Sequence, residues 1–211
     1  MRSQEVLRIA RVTLSGRHVR LVPLLMEHAA PLLRIADESR STYGLQTVAS
    51  DLAGMEAFVA EALDEEARGA SLPFAVLDPA GAVTGTTRYM SIEWWSWPAA
   101  PPPPVPSGPD VLEIGWTWYA ERVQRTAVNT ESKLLLCTHA FETLGVRRIT
   151  WKTDARNERS RAAILRLGAR FDGILRAHKI AADGVVRDSA FYSMLRAEWP
   201  AAKAKLEERL R

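Results

Sequence analysis

Between positions 112 and 168 the chain runs through a strand pattern, a polar connection, a helix, a second strand and a second helix, and few folds accept that order. Residues 112–119 alternate, with Leu112, Ile114, Trp116 and Trp118 on one face and Glu113, Gly115, Thr117 and Tyr119 on the other. A connection over 120–128 follows, then a helix whose cap is Asn129 or Thr130. The second strand covers 148–153 and the second helix 157–167. Strand, turn, helix, strand makes a parallel step, and its turn aims the free N–H groups of a helix start at one spot. Those amides, with the partial positive charge of the helix end, suit a phosphate.

The flanks read as antiparallel. Residues 17–24 alternate charged and apolar positions as a strand closed by Pro23, and a helix over 26–38 keeps Pro31 near its first turn. Ser50 or Asp51 caps a helix to about 68, with Leu52, Met55, Phe58, Val59 and Ala62 at helical spacing and Gly69 at its end. Strands over 72–77 and 83–92 form a hairpin around Asp78-Pro79-Ala80-Gly81, with Gly85 marking a bulge. Strands over 169–180 and 186–195 form a second hairpin through Asp183-Gly184. Residues 1–12 read as a flexible tail, and Trp199-Pro200 opens a charged, peripheral helix over 201–211. The fold class is therefore α/β (α+β), one domain over 13–200 with a mixed, mostly antiparallel sheet flanked by helices.

One segment interrupts this pattern. Residues 97–110 carry Pro98, Pro101 to Pro104, Pro106 and Pro109, so they form an exposed polyproline II loop between two strands. It is a stiff insertion, a docking ligand or a wall of the acceptor pocket. Trp94, Trp95 and Trp97 before it roof a pocket or cover a sheet edge.

Composition excludes several classes. The 211 residues are 47% hydrophobic and 25% charged, as in a globular domain, and a net charge of +3 with interleaved acids points away from nucleic acid. One cysteine, Cys137, excludes a disulfide framework and fits a reducing, cytoplasmic setting. No apolar run is long enough to predict a membrane span, and no His, Cys or Asp grouping has metal-ligand spacing.

Within the central stretch several residues carry chemistry. Glu113 can take the proton of an attacking amine, or it is a solvated or salt-bridged carboxylate. Arg122 and Arg125 add charge to the loop, Ala127 is small enough for close approach, and Asn129 tolerates a left-handed backbone. Asn157, Ser160, Ile164 and Leu167 share one helix face, and Asn157 with Ser160 reads by itself as a capping pair. Cys137 packs in the core, while His178 is an alternative base or a sheet-surface residue.

These residues also form a pattern. Glu113-Ile114-Gly115, Gln124-x-x-Ala127-x-Asn129 with Thr130, Glu131 and Lys133, Ala140-Phe141-Glu142, Arg147-Arg148, Asn157-x-x-Ser160, Leu167-Gly168-Ala169 and Asp172-Gly173 resemble the core of the GNAT acyltransferase family. Asp183-Gly184, Arg187-Asp188 and Glu198-Trp199 resemble its RimJ/RimL branch, and the resemblance spans about 14–199. It implies a sheet splayed between its fourth and fifth strands, with acetyl-CoA or another acyl-CoA as co-substrate. The loop and helix start, Gln124, Arg125, Thr126, Ala127, Val128, Asn129 and Thr130, would then bind the pyrophosphate. Trp116, Thr117 and Trp118 would pair with the pantetheine arm and Asn157 would bond one of its amides. Ser160 would protonate the leaving thiolate, because Ile164 stands where many relatives carry a tyrosine. Ala127 and Asn129 occupy the family's glycine positions. The implied activity is acetyl transfer to a primary amine, on a small molecule or a protein N-terminus, with Glu113 taking the proton; dimers are common among relatives. The alternative is a GNAT-like domain that binds acyl-CoA or docks a partner without catalysis.

Overall fold

The computed structural model describes residues 9–98 and 108–211. Eight strands form one sheet in the order β1-β2-β3-β4-β5-β6-β8-β7. In chain order they are β1 (Leu14–Ser15), β2 (Arg20–Pro23), β3 (Leu72–Leu77), β4 (Val83–Glu93), β5 (Val111–Tyr119), β6 (Arg148–Asp154), β7 (Arg170–Ile180) and β8 (Val186–Leu195). The helices are α1 (Ala29–Asp37), α2 (Leu52–Ala67), α3 (Ala127–Thr138), α4 (Glu158–Arg166) and α5 (Trp199–Glu208). Among the described residues only β5 and β6 run parallel, as expected for two strands joined through a helix. Among the described residues no helix is long and apolar enough to cross a membrane.

Two apolar layers cover the sheet. The larger cluster gathers Leu112, Ile114, Leu136, Phe141, Ile149, Trp151, Ile164, Tyr192 and Met194, and draws on α3, α4 and α5. The smaller gathers Leu24, Leu32, Met55, Val59, Ala75 and Trp118 beneath α1 and α2, and contains no residue beyond Val123. The second half of the sheet is therefore covered by helices on one face only. The C-terminal helix belongs to the larger layer: Trp199, Ala202 and Leu206 are buried, and Trp199 stacks on Phe141 with ring centroids 5.6 Å apart. Its charges occupy only the outer side, so a charged sequence did not make a peripheral helix.

Local chemistry sets the element ends. Asp51 caps α2 by accepting the Gly54 N–H at 2.7 Å, and Pro31 sits in the first turn of α1, where its missing donor costs little. The β3–β4 register shifts beside Gly85, and a Cβ there would lie 2.4 Å from the Trp118 carbonyl oxygen. Glycine is what lets β5 close against β4. Residues 99–107 of the proline-rich loop lie outside the described residues, but its roots are anchored. Trp97 Nε1 donates to Asp110 Oδ1 at 3.1 Å and the Trp97 ring lies under the Arg147 guanidinium, 4.4 Å from ring centroid to charge. Trp97 thus fastens the start of β5.

Glu131, a mid-helix residue of α3, ties the first hairpin to the core. Its buried carboxylate accepts the backbone N–H groups of Arg17, His18 and Val19 at 2.8, 2.5 and 2.8 Å. A Cβ at Gly16 would stand 2.4 Å from that carboxyl carbon. Glu131→Ala strands three donors in a semi-buried loop, so urea denaturation is expected to show a loss of about 2–4 kcal/mol. A change below about 0.5 kcal/mol would mean that water replaces the carboxylate without cost.

Candidate active site

The site begins where two strands part. β5 and β6 pair through Val111 with Arg148, Leu112 with Ile149 and Glu113 with Thr150, and then diverge. Counting from β2, these are the fourth and fifth strands, as the family resemblance implied; the two-residue β1 adds one to the count. From Ile114 onward the β6-facing edge of β5 has no strand partner, which opens a wedge bounded by β5, β6 and the helices that follow each.

A bulge shapes the β5 side of this wedge. Thr86 pairs with Trp118 but Arg88 pairs with Gly115, so β5 carries an extra residue, and Trp116 adopts a left-handed φ of 48°. This overturns the strict alternation expected from sequence. Leu112 and Ile114 share their core layer with Tyr119, while Trp118 packs in the other layer against Tyr43. Trp116 is turned outward onto Phe58 and Arg88. Thr117 points inward, its hydroxyl 2.7 Å from that of Thr87, and its carbonyl accepts Gln46 Nε2 at 2.8 Å.

The loop after β5 differs from expectation in its cap. Helix α3 starts at Ala127, and its cap is Thr126, three to four residues before the expected cap, whose hydroxyl accepts the Val128 N–H at 3.3 Å. Asn129 and Thr130 therefore lie within the first turn, and the left-handed residue is Arg125, at φ 61°. A threonine competes well for the cap because its oxygen reaches the second amide of the turn. Gln124 has no donor left for a ligand. Its Nε2 donates to the Tyr119 carbonyl and the Thr42 hydroxyl, its Oε1 accepts Arg159 Nη2 at 2.6 Å, and its N–H donates to the Glu121 carbonyl. It holds the loop in shape and ties it to α4. Arg122 is bonded to Glu38 and to the Val83 carbonyl. Arg125, by contrast, has no partner in the fold among the described residues and stands exposed beside the open helix end.

On the α4 side, Asn157 caps the helix by accepting the Ser160 N–H at 2.9 Å, as the capping pair requires. The Asn157 NH2 group and the half-buried Ser160 hydroxyl bond no other group among the described residues, so both are available to the wedge. At its floor, Glu113 is 5% exposed and ion-paired: Oε2 accepts Lys152 Nζ at 2.7 Å and the Ser91 hydroxyl at 3.4 Å, leaving Oε1 free. The salt-bridged reading of this residue and a working reading are thus compatible. His178 lies on the same open face, Nδ1 2.8 Å from the Ser189 hydroxyl and its ring edge-on to Phe191. Desolvation, then the charges of Lys152, Lys179 and Arg187, pull its pKa below the ordinary histidine value, so it is neutral at pH 7.

One residue the sequence reading did not single out for chemistry is Lys133. It is buried on α3 with no carboxylate among its partners: Nζ donates to Thr117 Oγ1 at 2.6 Å and to Thr87 Oγ1 at 3.2 Å. Burial lowers its pKa from 10.5 to about 7. The only signal in the sequence is a lysine among the inward positions Val128, Leu136 and Cys137. Cys137 is a core residue, as expected, with its thiol pushed up to about 12 by burial.

A sheet with one short parallel step, a splay after it, a bulged strand on one side and a helix start at its mouth is the arrangement that the family resemblance implied. A family model for the acetyltransferase (GNAT) domain matches residues 18–170, and the chain belongs to that family. Among solved structures it is similar to a GCN5-related N-acetyltransferase from Brucella melitensis, at 32% identity and a TM-score of 0.80, over 97% of this chain and 87% of that one. It shares its fold with Mycobacterium smegmatis RimJ in complex with CoA-disulfide, at 20% identity and a TM-score of 0.78, over 95% and 96%. YdaF of Bacillus subtilis (strain 168), named as a candidate ribosomal N-acetyltransferase, is 33% identical over 91 residues, 43% of this chain. The match spans about half of that relative, 49% of its length.

Proposed function

We propose that this protein transfers an acetyl group from acetyl-CoA to a primary amine by direct attack within a ternary complex. The observation that carries this reading is the wedge: three paired residues on each strand, then an unpaired β5 edge leading to free amides at Arg125, Thr126 and the α3 start. Those groups fit a long amide-bearing arm ending in a diphosphate, since the amides and the Arg125 charge answer the phosphates and the unpaired strand edge answers the arm. Bound there, the thioester supplies an activated acyl group.

The residues of the chain do the rest. Unpaired N–H groups of β5 near its bulge stabilise the charge developing on the thioester oxygen. Glu113 takes the proton of the attacking amine on Oε1, directly or through water, while Lys152 and Ser91 hold Oε2 in place. Ser160 gives its hydroxyl proton to the departing sulfur as the C–S bond breaks, and recovers one from solvent. YdaF, named as a candidate ribosomal N-acetyltransferase, supports a peptide or amine acceptor.

Ser160→Ala is expected to lower kcat about 10- to 100-fold with CoA affinity unchanged, read by thiol release and calorimetry. An unaltered kcat removes Ser160 as the acid. The functional reading itself is tested by thiol release across a panel of amines. CoA binding without turnover on any of them would leave a binding domain in its place.

A further inference from the structure

The open face of β6, β8 and β7 holds two facing cations that bond no carboxylate among the described residues. Register places Lys152 beside Phe191, Asp154 beside Ser189, and Lys179 directly opposite Arg187. Lys152 is committed to Glu113, and both oxygens of Asp154 are held by Arg156, at 3.0 and 2.7 Å. Arg156 in turn takes Asp183 at 2.8 Å. Arg187 is left with one neutral partner, the Ser189 hydroxyl at 2.9 Å, and Lys179 bonds nothing among the described residues.

Two like charges directly opposed across a strand pair destabilise the sheet. Lys179 is pulled below its ordinary pKa by partial desolvation and then by Arg187 and Lys152, while Arg187 is lowered by desolvation against the favourable charges of Asp154 and Glu113. The neighbourhood is also built rather than incidental. Register between Leu175 and Lys179 shifts by a bulge in β7 held by Asp188, whose Oδ1 accepts the Ala177 N–H at 2.8 Å, with Ala177 at φ 49°. The bulge turns His178 onto Ser189, so Arg187, Ser189 and His178 form one hydrogen-bonded row. No helix layer covers this face, because the α1–α2 cluster ends at Val123.

Resting on the acyl-transfer reading, we infer that Arg187 and Lys179 receive a carboxylate of the acceptor, and that the acceptor is a peptide N-terminus with an acidic side chain within its first four residues. Strand geometry sets the spacing. Glu113 aligns through Thr150 with Ser193, and Arg187 lies six residues farther along β8. At about 3.4 Å per residue along β8 and about 4.8 Å for each of the two strand steps from β5, the Cα atoms lie about 22 Å apart, and the reach of a glutamate and an arginine side chain leaves about 12 Å from amine to carboxylate. That is about three extended residues, too far for the carboxylate of a free amino acid. A polyamine would bring a further cation against Arg187 and Lys179, which is unfavourable.

The test uses tetrapeptide amides that differ only at position three, glutamate, glutamine or lysine, with the full-length protein. Thiol release gives kcat/KM, and calorimetry gives peptide binding to the CoA-loaded protein. The glutamate peptide is expected to exceed the glutamine peptide about 10-fold, chiefly through KM, with the lysine peptide weakest. In Arg187→Gln/Lys179→Gln the preference disappears while CoA affinity holds, and Arg187→Lys restores part of it. Equal binding of the glutamate and glutamine peptides, or a preference that survives in the double variant, overturns the inference. Preferential binding without turnover would instead overturn the acyl-transfer reading and leave the carboxylate site standing.

Discussion

Lys133→Met is expected to stabilise the protein at pH 7 and to abolish a rise in stability between pH 7 and 9. Lys133 is buried and lacks a counter-charge, with a pKa near 7 against an ordinary 10.5. Between those values the unfolded chain binds one proton that the folded chain does not, so wild-type stability climbs with pH, and below about 7 the penalty for the buried charge is fully present. The slope approaches ~1.4 kcal/mol per pH unit, or ~2 kcal/mol over the window after allowing for partial titration near pH 7. Cys137 has the opposite sign. Its pKa rises from 9.0 to about 12, so its contribution falls as pH passes 9, which closes the window from above. The lowered histidines His28, His139 and His178 titrate below 6.5, outside it. Methionine matches the lysine stem, and Thr87 and Thr117 already bond each other. Urea titrations of both proteins from pH 6 to 9.5 are the measurement. Parallel curves would show that Lys133 stays protonated in the fold with a partner such as internal water.

Ala127→Glu should separate folding from ligand binding. At the first position of α3 an acidic side chain favours the helix dipole, so stability should rise by a few tenths of a kcal/mol. The same carboxylate would face a bound diphosphate at close range. Like charges about 4 Å apart near a surface repel by ~4 kcal/mol before screening, so CoA affinity should fall about 100-fold. Ala127→Lys serves as the control and should keep or improve binding. Calorimetry with CoA reads all three proteins. Equal affinity in wild type and Ala127→Glu would move the diphosphate away from the α3 start, and with it the wedge as the acyl-donor site.

The structure also shows which features could be read from sequence. Asp51, Pro31, Gly69 and Asp183-Gly184 act locally, through one hydrogen bond or one backbone angle, and each marks the boundary that its residue type predicts. The bulge at Trp116 could not be read this way. An added residue in β5 matters only relative to β4, and the strand by itself looks like an unbroken alternation. The same applies to the α3 cap: Thr126 and Asn129 are both good caps, and contacts of Gln124 with Thr42 and Arg159 decide how far the loop runs before the helix begins.

What the chain's order of residues determined alone is the succession of elements and the parallel step between β5 and β6, because periodicity and turn chemistry are properties of neighbours in sequence. The tertiary structure decided the chemistry of individual side chains. Glu113 became an ion-paired carboxylate with one free oxygen, Lys133 a buried amine, and Lys179 and Arg187 two facing cations, all through partners 8 to 46 residues away. A side chain's charge state and reach depend on what folding packs around it, and no local pattern encodes that.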